Sequence, residues 1–449
     1  MMQAPSFPMI EEKTIAAVAT PPGSGAIAVV RMSGPQAHAI AATCCGRSLE
    51  ARRATLVRLR NRDGAPIDEA VATFFAAPAS YTGEDVVEIS CHGGMLVTRR
   101  VLECLLQAGA QPAEPGEFSR RAFANGKLDL TQAEAVMDII SAGSDLALRA
   151  AQNQLQGAIS SRVQAAADRL ISTAAHLEAY IDFPEEEISP DTTEQLAAAM
   201  LGVRQDLQQL LDTADEGRLL REGVRTAIVG APNVGKSSLL NMLLGYERAI
   251  VSNVAGTTRD TIEECVSLAG LRLRLTDTAG LHESDDAIER AGMERSRRAG
   301  AEADLVLEVA DLTQPPPAPL SLPPGSMRLL VLNKADLSPH PAWEGQEGIR
   351  ISCHTGAGRK ELEQAIAALF LRHDTTATDF AAINTRHRFA LQQALQALMQ
   401  AHASLLAGDS PELTDVDLRA ALDALGSIIG RIDTEDILTR VFATFCLGK

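Results

Sequence analysis

The amino-acid sequence predicts a multidomain chain of mixed α/β and all-α class: an α+β domain at the N-terminus, then a helical domain into which a P-loop α/β domain is inserted. Three observations carry this reading. Short β-branched runs alternate with Gly/Pro turns near the start, Ala/Leu-rich helical periodicity fills two separated stretches, and the interval between those stretches alternates strand-like and helix-like runs. A length of 449 residues exceeds one ordinary core and suits two or three domains that each bury their own interior.

Taken in order, residues 14–125 place strand-like runs at Ala26 to Arg31 and Val86 to Ile89 beside a helical stretch from Leu96 to Ala108. From Thr131 to Phe183 the composition turns Ala- and Leu-rich with helical period, and a second such segment runs from Thr192 to Leu220. Strand-like runs at Val224 to Val229, Leu271 to Leu275, Leu305 to Val309 and Leu329 to Leu332 then alternate with helical ones, the pattern of a parallel sheet. Helical composition returns after Asn384, with cap-like spacing at Thr414-x-x-Asp417 and Asp433-x-x-Asp436. The expected boundaries are 1–126, 127–220, 221–372 for the insert, and 373–449 for the second helical part. An insertion is physically easy when the guest domain's termini lie close together. PPPAPLSLPPG at 315–325 is too Pro-rich for a helix and reads as a surface loop.

Composition excludes several classes. A 46% hydrophobic content excludes a disordered chain, and no apolar run approaches the roughly 18 residues of a membrane span. The N-terminus MMQAPSFPMIEEK lacks an apolar signal region, so a cytoplasmic address is expected. Seven scattered cysteines without C-x-x-C spacing argue against a disulfide framework or a zinc site. A net charge of -17 repels phosphate backbones over most of the surface, so nucleic acid must meet a local basic patch or a partner's surface. Arg52, Arg53, Arg58, Arg60 and Arg62 offer a phosphate-facing patch or, as their alternating strand positions favour, an ordinary wet face.

Gly230-Ala-Pro-Asn-Val-Gly-Lys236-Ser237 follows the strand TAIV and precedes the helix KSSLLNMLL, the context that makes a P-loop. Its glycines let backbone N–H groups face phosphates, Lys236 adds a charge at the β/γ oxygens, and Ser237 offers a hydroxyl to Mg²⁺. Asn333-Lys-Ala-Asp336 follows the strand LLVL: Asp336 can accept from the two N–H donors of guanine's Watson–Crick edge, while Asn333 supports the loop. Adenine would leave that carboxylate unpaired, which favours GTP over ATP. Asp277-Thr-Ala-Gly280 supplies an acid to the Mg²⁺ shell and a Gly N–H for the γ-phosphate. Gly256-Thr257-Thr258-Arg259-Asp260 offers a hydroxyl, Thr258, that completes the metal shell only with triphosphate bound, so both loops switch on hydrolysis. Position 281 is Leu, not the Gln that positions water in Ras-like enzymes, so water must be activated by another group.

These residues resemble the tRNA modification GTPases of the MnmE (TrmE) family, within the TrmE-Era-EngA-like GTPases, and the resemblance covers nearly the whole chain. In that family Asn233, Ser252, Val254 and Thr257 match K⁺-binding positions, with K⁺ supplying the charge that an arginine finger provides elsewhere. Glu289 matches the position that orients water when two G domains meet across a dimer. The nucleotide-contacting set implied is Asn233, Val234, Gly235, Lys236, Ser237, Ser238, Ser252, Asn253, Val254, Ala255, Gly256, Thr257, Thr258, Asp277, Thr278, Ala279, Gly280, Asn333, Lys334, Ala335, Asp336, Ser352, Cys353 and His354. Lys236, Arg259, Glu289 and Cys446 are the residues assigned to catalysis, and Ser237, Thr258 and Asp277 those assigned to Mg²⁺.

Outside the G domain the resemblance rests on ATPPGSGAIAVVRMSG, TGEDVVEISCHGG, PGEFSRRAFANGKLDLTQAEA and the terminal FCLGK. It implies a tetrahydrofolate-binding-like N-terminal domain that forms a homodimer, with Arg31, Glu88, Lys127 and Lys449 contacting 5-formyl-tetrahydrofolate. Arginine or lysine suits glutamyl carboxylates and a carboxylate suits a pterin edge. Two departures stand out: Leu447 where FCIGK is common, and Cys353 where a Ser-Ala pair is usual. The implied activity is GTP hydrolysis to GDP that, with the FAD-dependent partner MnmG, builds an aminomethyl or carboxymethylaminomethyl group at carbon 5 of a tRNA wobble uridine. FAD enters only through the partner. The rival reading is an RNA-binding or ribosome-assembly GTPase of the Era or Der kind, which carries a separate RNA-binding domain or a second G domain; neither is found in the sequence.

Overall fold

The computed structural model of the protein describes residues 13–182, 190–245, 264–276, 303–317, 327–370, 383–431, 438, 441–446 and 448–449. It divides into two compact units. One comprises Met1–Met137, Ser160–Met200 and Gln396–Lys449, the other Asp138–Ile159 and Leu201–Leu395.

The first unit opens with β1 (Ile15–Val18), β2 (Ile27–Ser33), α1 (Ala37–Cys45), β3 (Thr55–Arg60), β4 (Pro66–Phe75), β5 (Val86–His92), α2 (Met95–Gln107) and β6 (Gln111–Pro112). The strands form one sheet in the order β3-β4-β5-β2-β1-β6. Period-two alternation sets its faces. In β3, Val57 and Leu59 are buried beneath α1 and α2 while Leu56, Arg58 and Arg60 point outward. The register Arg31↔Glu88 between β2 and β5 puts these two side chains directly opposite each other.

After this sheet come α3 (Glu117–Ala124), α4 (Leu130–Ser141), α5 (Asp145–Leu155), α6 (Ala158–Asp182), α7 (Pro190–Asp212) and α8 (Ala214–Glu222). The helical stretch from Thr131 is thus interrupted twice. Ser144 caps α5 by accepting from the Ala147 N–H at 3.2 Å, and Gly157 turns the chain at φ 90°, a conformation that favours glycine.

The second sheet contains β7 (Val224–Val229), β8 (Glu264–Leu268), β9 (Leu271–Thr276), β10 (Leu305–Asp311), β11 (Met327–Asn333) and β12 (Ile349–Arg350), with α9 (Lys236–Leu244) between β7 and β8 and α10 (Arg359–Phe370) after β12. Strand order is β12-β11-β10-β7-β9-β8, parallel throughout except for the antiparallel β8–β9 hairpin. Every residue of the central strand β10 is buried, as expected of a parallel strand covered on both faces. Helices α5 and α8 belong to this unit, because Ala150, Leu220 and Leu146 pack into the same apolar core as β8 and β9.

The chain closes with α11 (Thr385–Ala407) and α12 (Pro411–Ile429). Here Thr414 is a correction to the sequence reading. It lies buried inside α12, whose cap position is Ser410, because Pro411 fits the first helical turn where no N–H is needed. Asp433 and Asp436 lie outside the described residues.

Candidate functional site

The carboxyl ends of β7, β10, β11 and β12 all open on one edge of the second sheet, the edge where parallel α/β sheets bind ligands. After β7 the chain wraps through Gly230, Asn233 and Gly235 at φ 150°, 64° and 99° and enters α9 at Lys236. A Cβ at Gly230 would stand 2.3 Å from the Val309 carbonyl oxygen, and one at Gly235 only 2.1 Å from Asn333 Nδ2. Glycine is therefore required at both positions by contact as well as by backbone angle. The resulting loop presents backbone amides at a helix N-terminus, the arrangement that attracts phosphate. Lys236 Nζ spans the loop, donating to the carbonyl oxygens of Gly230 at 3.1 Å and Ala231 at 2.8 Å. Ser237 and Ser238 occupy the first turn of α9.

Asn333 ties three loops together. Its Nδ2 donates to the Val234 carbonyl at 2.9 Å, and its Oδ1 accepts from the Cys353 N–H at 3.2 Å, with the side chain almost fully buried. Ala335 N–H donates to the Ile351 carbonyl at 2.9 Å, which joins the Asn333–Asp336 loop to the Ser352–His354 loop a second time. Asp336 is exposed, and its hydrogen bond with the Ser352 hydroxyl, followed by its own backbone N–H and the neighbouring His354, holds its carboxyl below the usual range. The carboxylate is thus ionised and acceptor-only at neutral pH, as reading two N–H donors requires.

Cys353 contributes through its backbone. Its side chain packs against the apolar core of the sheet, and burial pushes its thiol up to about 11. Thus the structure brings together Asn233, Val234, Gly235, Lys236, Ser237, Ser238, Asn333, Lys334, Ala335, Asp336, Ser352, Cys353 and His354. Ser252, Asn253, Val254, Ala255, Gly256, Thr257, Thr258, Arg259, Asp277, Thr278, Ala279, Gly280 and Glu289, also expected at this site, lie outside the described residues.

A second constellation lies in the first unit. Arg31 Nε donates to Glu88 Oε1 at 2.9 Å, and its Nη1 donates to the Gly448 carbonyl at 3.2 Å. The Arg31 guanidinium carbon lies 5.2 Å from the Tyr81 ring centroid and 5.8 Å from that of Phe118, while Lys449 Nζ lies 6.0 Å from the Tyr81 ring. Burial and the adjacent Arg31 lower the Lys449 amine, partly opposed by Glu88 and Cys446. Arg31 is thus paired with Glu88, and Lys449 is the second cation beside the same aromatic ring, a cluster that favours an added anion.

Lys127 stands at the loop bearing Tyr81, donating from Nζ to the Pro78 carbonyl at 3.1 Å and lying beneath Gly83. That loop is fixed from behind. Asn125 Nδ2 donates to the Thr82 carbonyl at 2.8 Å, Ser33 and Thr82 share a 2.7 Å hydroxyl contact, and buried Arg121 binds Glu84 and Glu117. Tyr81, just before TGED, and Phe118, within PGEF, are site residues that sequence reasoning missed. Cys446 is exposed, and all seven cysteines are free thiols.

Arg58 pairs with Glu69 at 2.8 Å and Arg53 with Glu50 at 2.8 Å, while Arg52 and Arg60 donate to the carbonyl oxygens of Ala79 and Gly64. Among the described residues no helix is long and apolar enough to cross a membrane.

Two family models match the chain: "GTP-binding protein TrmE N-terminus" over residues 14–127 and "MnmE helical domain" over residues 130–446. The chain is 58% identical over 448 residues to a tRNA modification GTPase MnmE of Akkermansia muciniphila, an alignment covering 98% of this chain and 99% of that protein. It is 47% identical to one of Opitutus terrae and 42% identical to one of Enterococcus faecalis, each again over 98% of this chain and 99% of the relative. With the loops of a guanine-nucleotide site assembled on one sheet edge and matches of this extent along the whole length, the chain belongs to the MnmE family of tRNA modification GTPases.

Proposed function

We propose that GTP hydrolysis at the edge of the second sheet drives modification of carbon 5 of a tRNA wobble uridine, carried out jointly with the FAD-dependent partner MnmG. The carrying observation is the convergence of the Gly230–Lys236 loop, the Asn333–Asp336 loop and the Ser352–His354 loop through the two hydrogen bonds of Asn333. The backbone amides of the first loop and Lys236 bind the phosphates, and Asp336 reads the base.

Ser237, Thr258 and Asp277 would hold Mg²⁺, and Asn233, Ser252, Val254 and Thr257 would hold K⁺; the cations supply positive charge against the oxygens on which negative charge develops. Two observations suit such ions: Ser237 stands in the first turn of the helix that follows the loop, and Asn233 holds a left-handed backbone there. Glu289 orients water, and Arg259 belongs to the loop that senses the γ-phosphate. Because position 281 is Leu where Ras-like enzymes carry Gln, turnover depends on Glu289, on K⁺ and on approach of two G domains within a homodimer.

In the first unit, Arg31, Lys127 and Lys449 bind the carboxylates of 5-formyl-tetrahydrofolate or a related tetrahydrofolate, and Glu88 binds its pterin edge. This reading is supported by the Arg31–Glu88 ion pair and by Arg31 and Lys449 both lying over the Tyr81 ring. It takes 1–126 as a folate-binding and dimer-forming domain, 127–220 with 373–449 as one helical domain, and 221–372 as the inserted G domain of a cytoplasmic enzyme. Cys446, exposed and with its carbonyl accepting from the Lys449 N–H at 3.3 Å, is assigned to catalysis beside this site. The test is GTP turnover against K⁺ at constant ionic strength, with 5-formyl-tetrahydrofolate binding measured in parallel. Turnover that is equal in Na⁺ and K⁺ overturns the first half, and absence of folate binding overturns the second.

A further inference from the structure

The Asp311 carboxylate closes the last turn of β10, beside the guanine-reading loop, and no motif of the sequence analysis includes it. Its Oδ2 lies 2.6 Å from Lys334 Nζ. Its Oδ1 accepts from both the N–H of Thr313 at 2.9 Å and the Thr313 hydroxyl at 2.7 Å, so the carboxylate is held in one orientation. The backbones of the two segments are joined alongside by Leu312 N–H donating to the Asn333 carbonyl at 2.9 Å.

Lys334 carries an unusual backbone, φ 67°, which a residue with a Cβ rarely adopts. The next residue, Ala335, is bonded to Ile351, and the one after is Asp336. The direction in which Asp336 points therefore depends on Lys334 staying left-handed. The ion pair to Asp311 is the side-chain contact that opposes its relaxation, beside the backbone bond from the Leu337 N–H to the Lys334 carbonyl at 3.0 Å. Burial alone would raise the Asp311 carboxyl, but the Lys334 ammonium and the two Thr313 donors outweigh it and hold it below the ordinary value. Asp311 is thus charged at neutral pH.

We propose that Asp311 and Thr313 form a positioning clamp for guanine recognition: they hold Lys334 in its left-handed backbone and thereby aim Asp336 at the base. Asp311 touches no nucleotide and acts through Lys334. The proposal rests on the reading of this edge as a guanine-nucleotide site.

The sole tryptophan makes the clamp observable. Trp343 is buried, its Nε1 donates to the Gln314 carbonyl at 2.7 Å, and it packs with Leu312, Leu332 and Ala335, on the segments that carry the clamp.

The experiment titrates GDP and IDP against the full-length protein, wild type and variants, by calorimetry and by Trp343 fluorescence. Asp311→Asn is expected to weaken GDP about 10-fold and to lower the GDP-over-IDP preference several-fold, because inosine lacks the 2-amino donor that a correctly aimed Asp336 accepts. KM for GTP rises while kcat changes less than about twofold.

A double-mutant cycle separates positioning from general stability. In a Lys334→Gly background, where glycine takes the left-handed backbone freely, Asp311→Asn is expected to cost nothing further. An equal loss in both backgrounds, or an unchanged GDP affinity in the single variant, overturns the clamp. Should Asp311→Asn fail to fold, Thr313→Val carries the test: it keeps the carboxylate and the N–H bond, a roughly 3-fold weaker GDP affinity supports the proposal, and no change overturns it. Wild-type protein that binds no GDP overturns the nucleotide reading itself, an outcome distinct from failure of the clamp.

Discussion

Replacing Asn333 by Ala probes the joint on which the nucleotide edge is built. The substitution removes a donor to the Val234 carbonyl and an acceptor for the Cys353 N–H, and the side chain it deletes is almost fully buried. Each backbone group left without its partner costs about 1–3 kcal/mol if water does not reach it. Val234 is itself buried, so its carbonyl bears nearly the full penalty, whereas Cys353 is only half-buried and water recovers part of its bond. The sum is about 2–4 kcal/mol of lost stability in the second unit. Urea unfolding followed through Trp343 isolates that unit, because the chain has no other tryptophan. The variant is also expected to weaken GDP by at least about 10-fold, since about 1.4 kcal/mol of loop disorder suffices for that factor. A shift below about 0.5 kcal/mol with GDP affinity retained would refute the account of Asn333 as the joint of three loops.

Gly235→Ala forces a Cβ to within 2.1 Å of Asn333 Nδ2 at a φ of 99°, and it is expected to abolish GDP binding and lower the urea midpoint of Trp343 unfolding. Lys449 gives a pH test. Its amine is lowered by burial and by Arg31, so between its folded value and 10.5 the unfolded chain binds more protons, and stability rises with pH in that window. Lys449→Met is expected to remove that rise, to raise stability slightly at pH 7, and to weaken 5-formyl-tetrahydrofolate; thermal melts across pH and ligand titration check all three. Glu88→Gln removes the carboxylate paired with Arg31, and calorimetry is expected to show folate binding lost while GDP binding is unchanged. Asn233→Ala is expected to erase K⁺ stimulation of GTP turnover, a loss of up to ~10³ in rate, while GDP affinity falls less than about 10-fold.

Much of the nucleotide edge was legible because its chemistry is local. The loop from Gly230 to Lys236 needs its glycines where backbone and neighbours leave no room for a Cβ, and Asn333 and Asp336 are two parts of one short turn after a strand. Strand β7 was read with its observed ends, since a buried parallel strand before a glycine leaves little ambiguity. Asp311 was not legible: it reads as the last residue of the buried run LVLEVAD, and its partner Lys334 is distant in sequence. Tyr81 and Phe118 were missed for the same reason, because only the folded sheet brings them beside Arg31. At Thr414 the local pattern of a cap was present, but Ser410-Pro411 offered a better start one turn earlier.

The central claim is that the Asp336 carboxylate selects guanine by accepting from two N–H donors. Binding of GDP, ADP and xanthosine diphosphate to wild type and Asp336→Asn, with magnesium present, tests it most directly. Xanthine carries a carbonyl where guanine carries its amino group, so the amide of Asn can donate where the carboxylate could only accept. The account predicts that the wild type prefers GDP by several orders of magnitude and that Asp336→Asn reverses the order in favour of the xanthine nucleotide. Equal binding of GDP and ADP by the wild type, or an unchanged order in the variant, would contradict it.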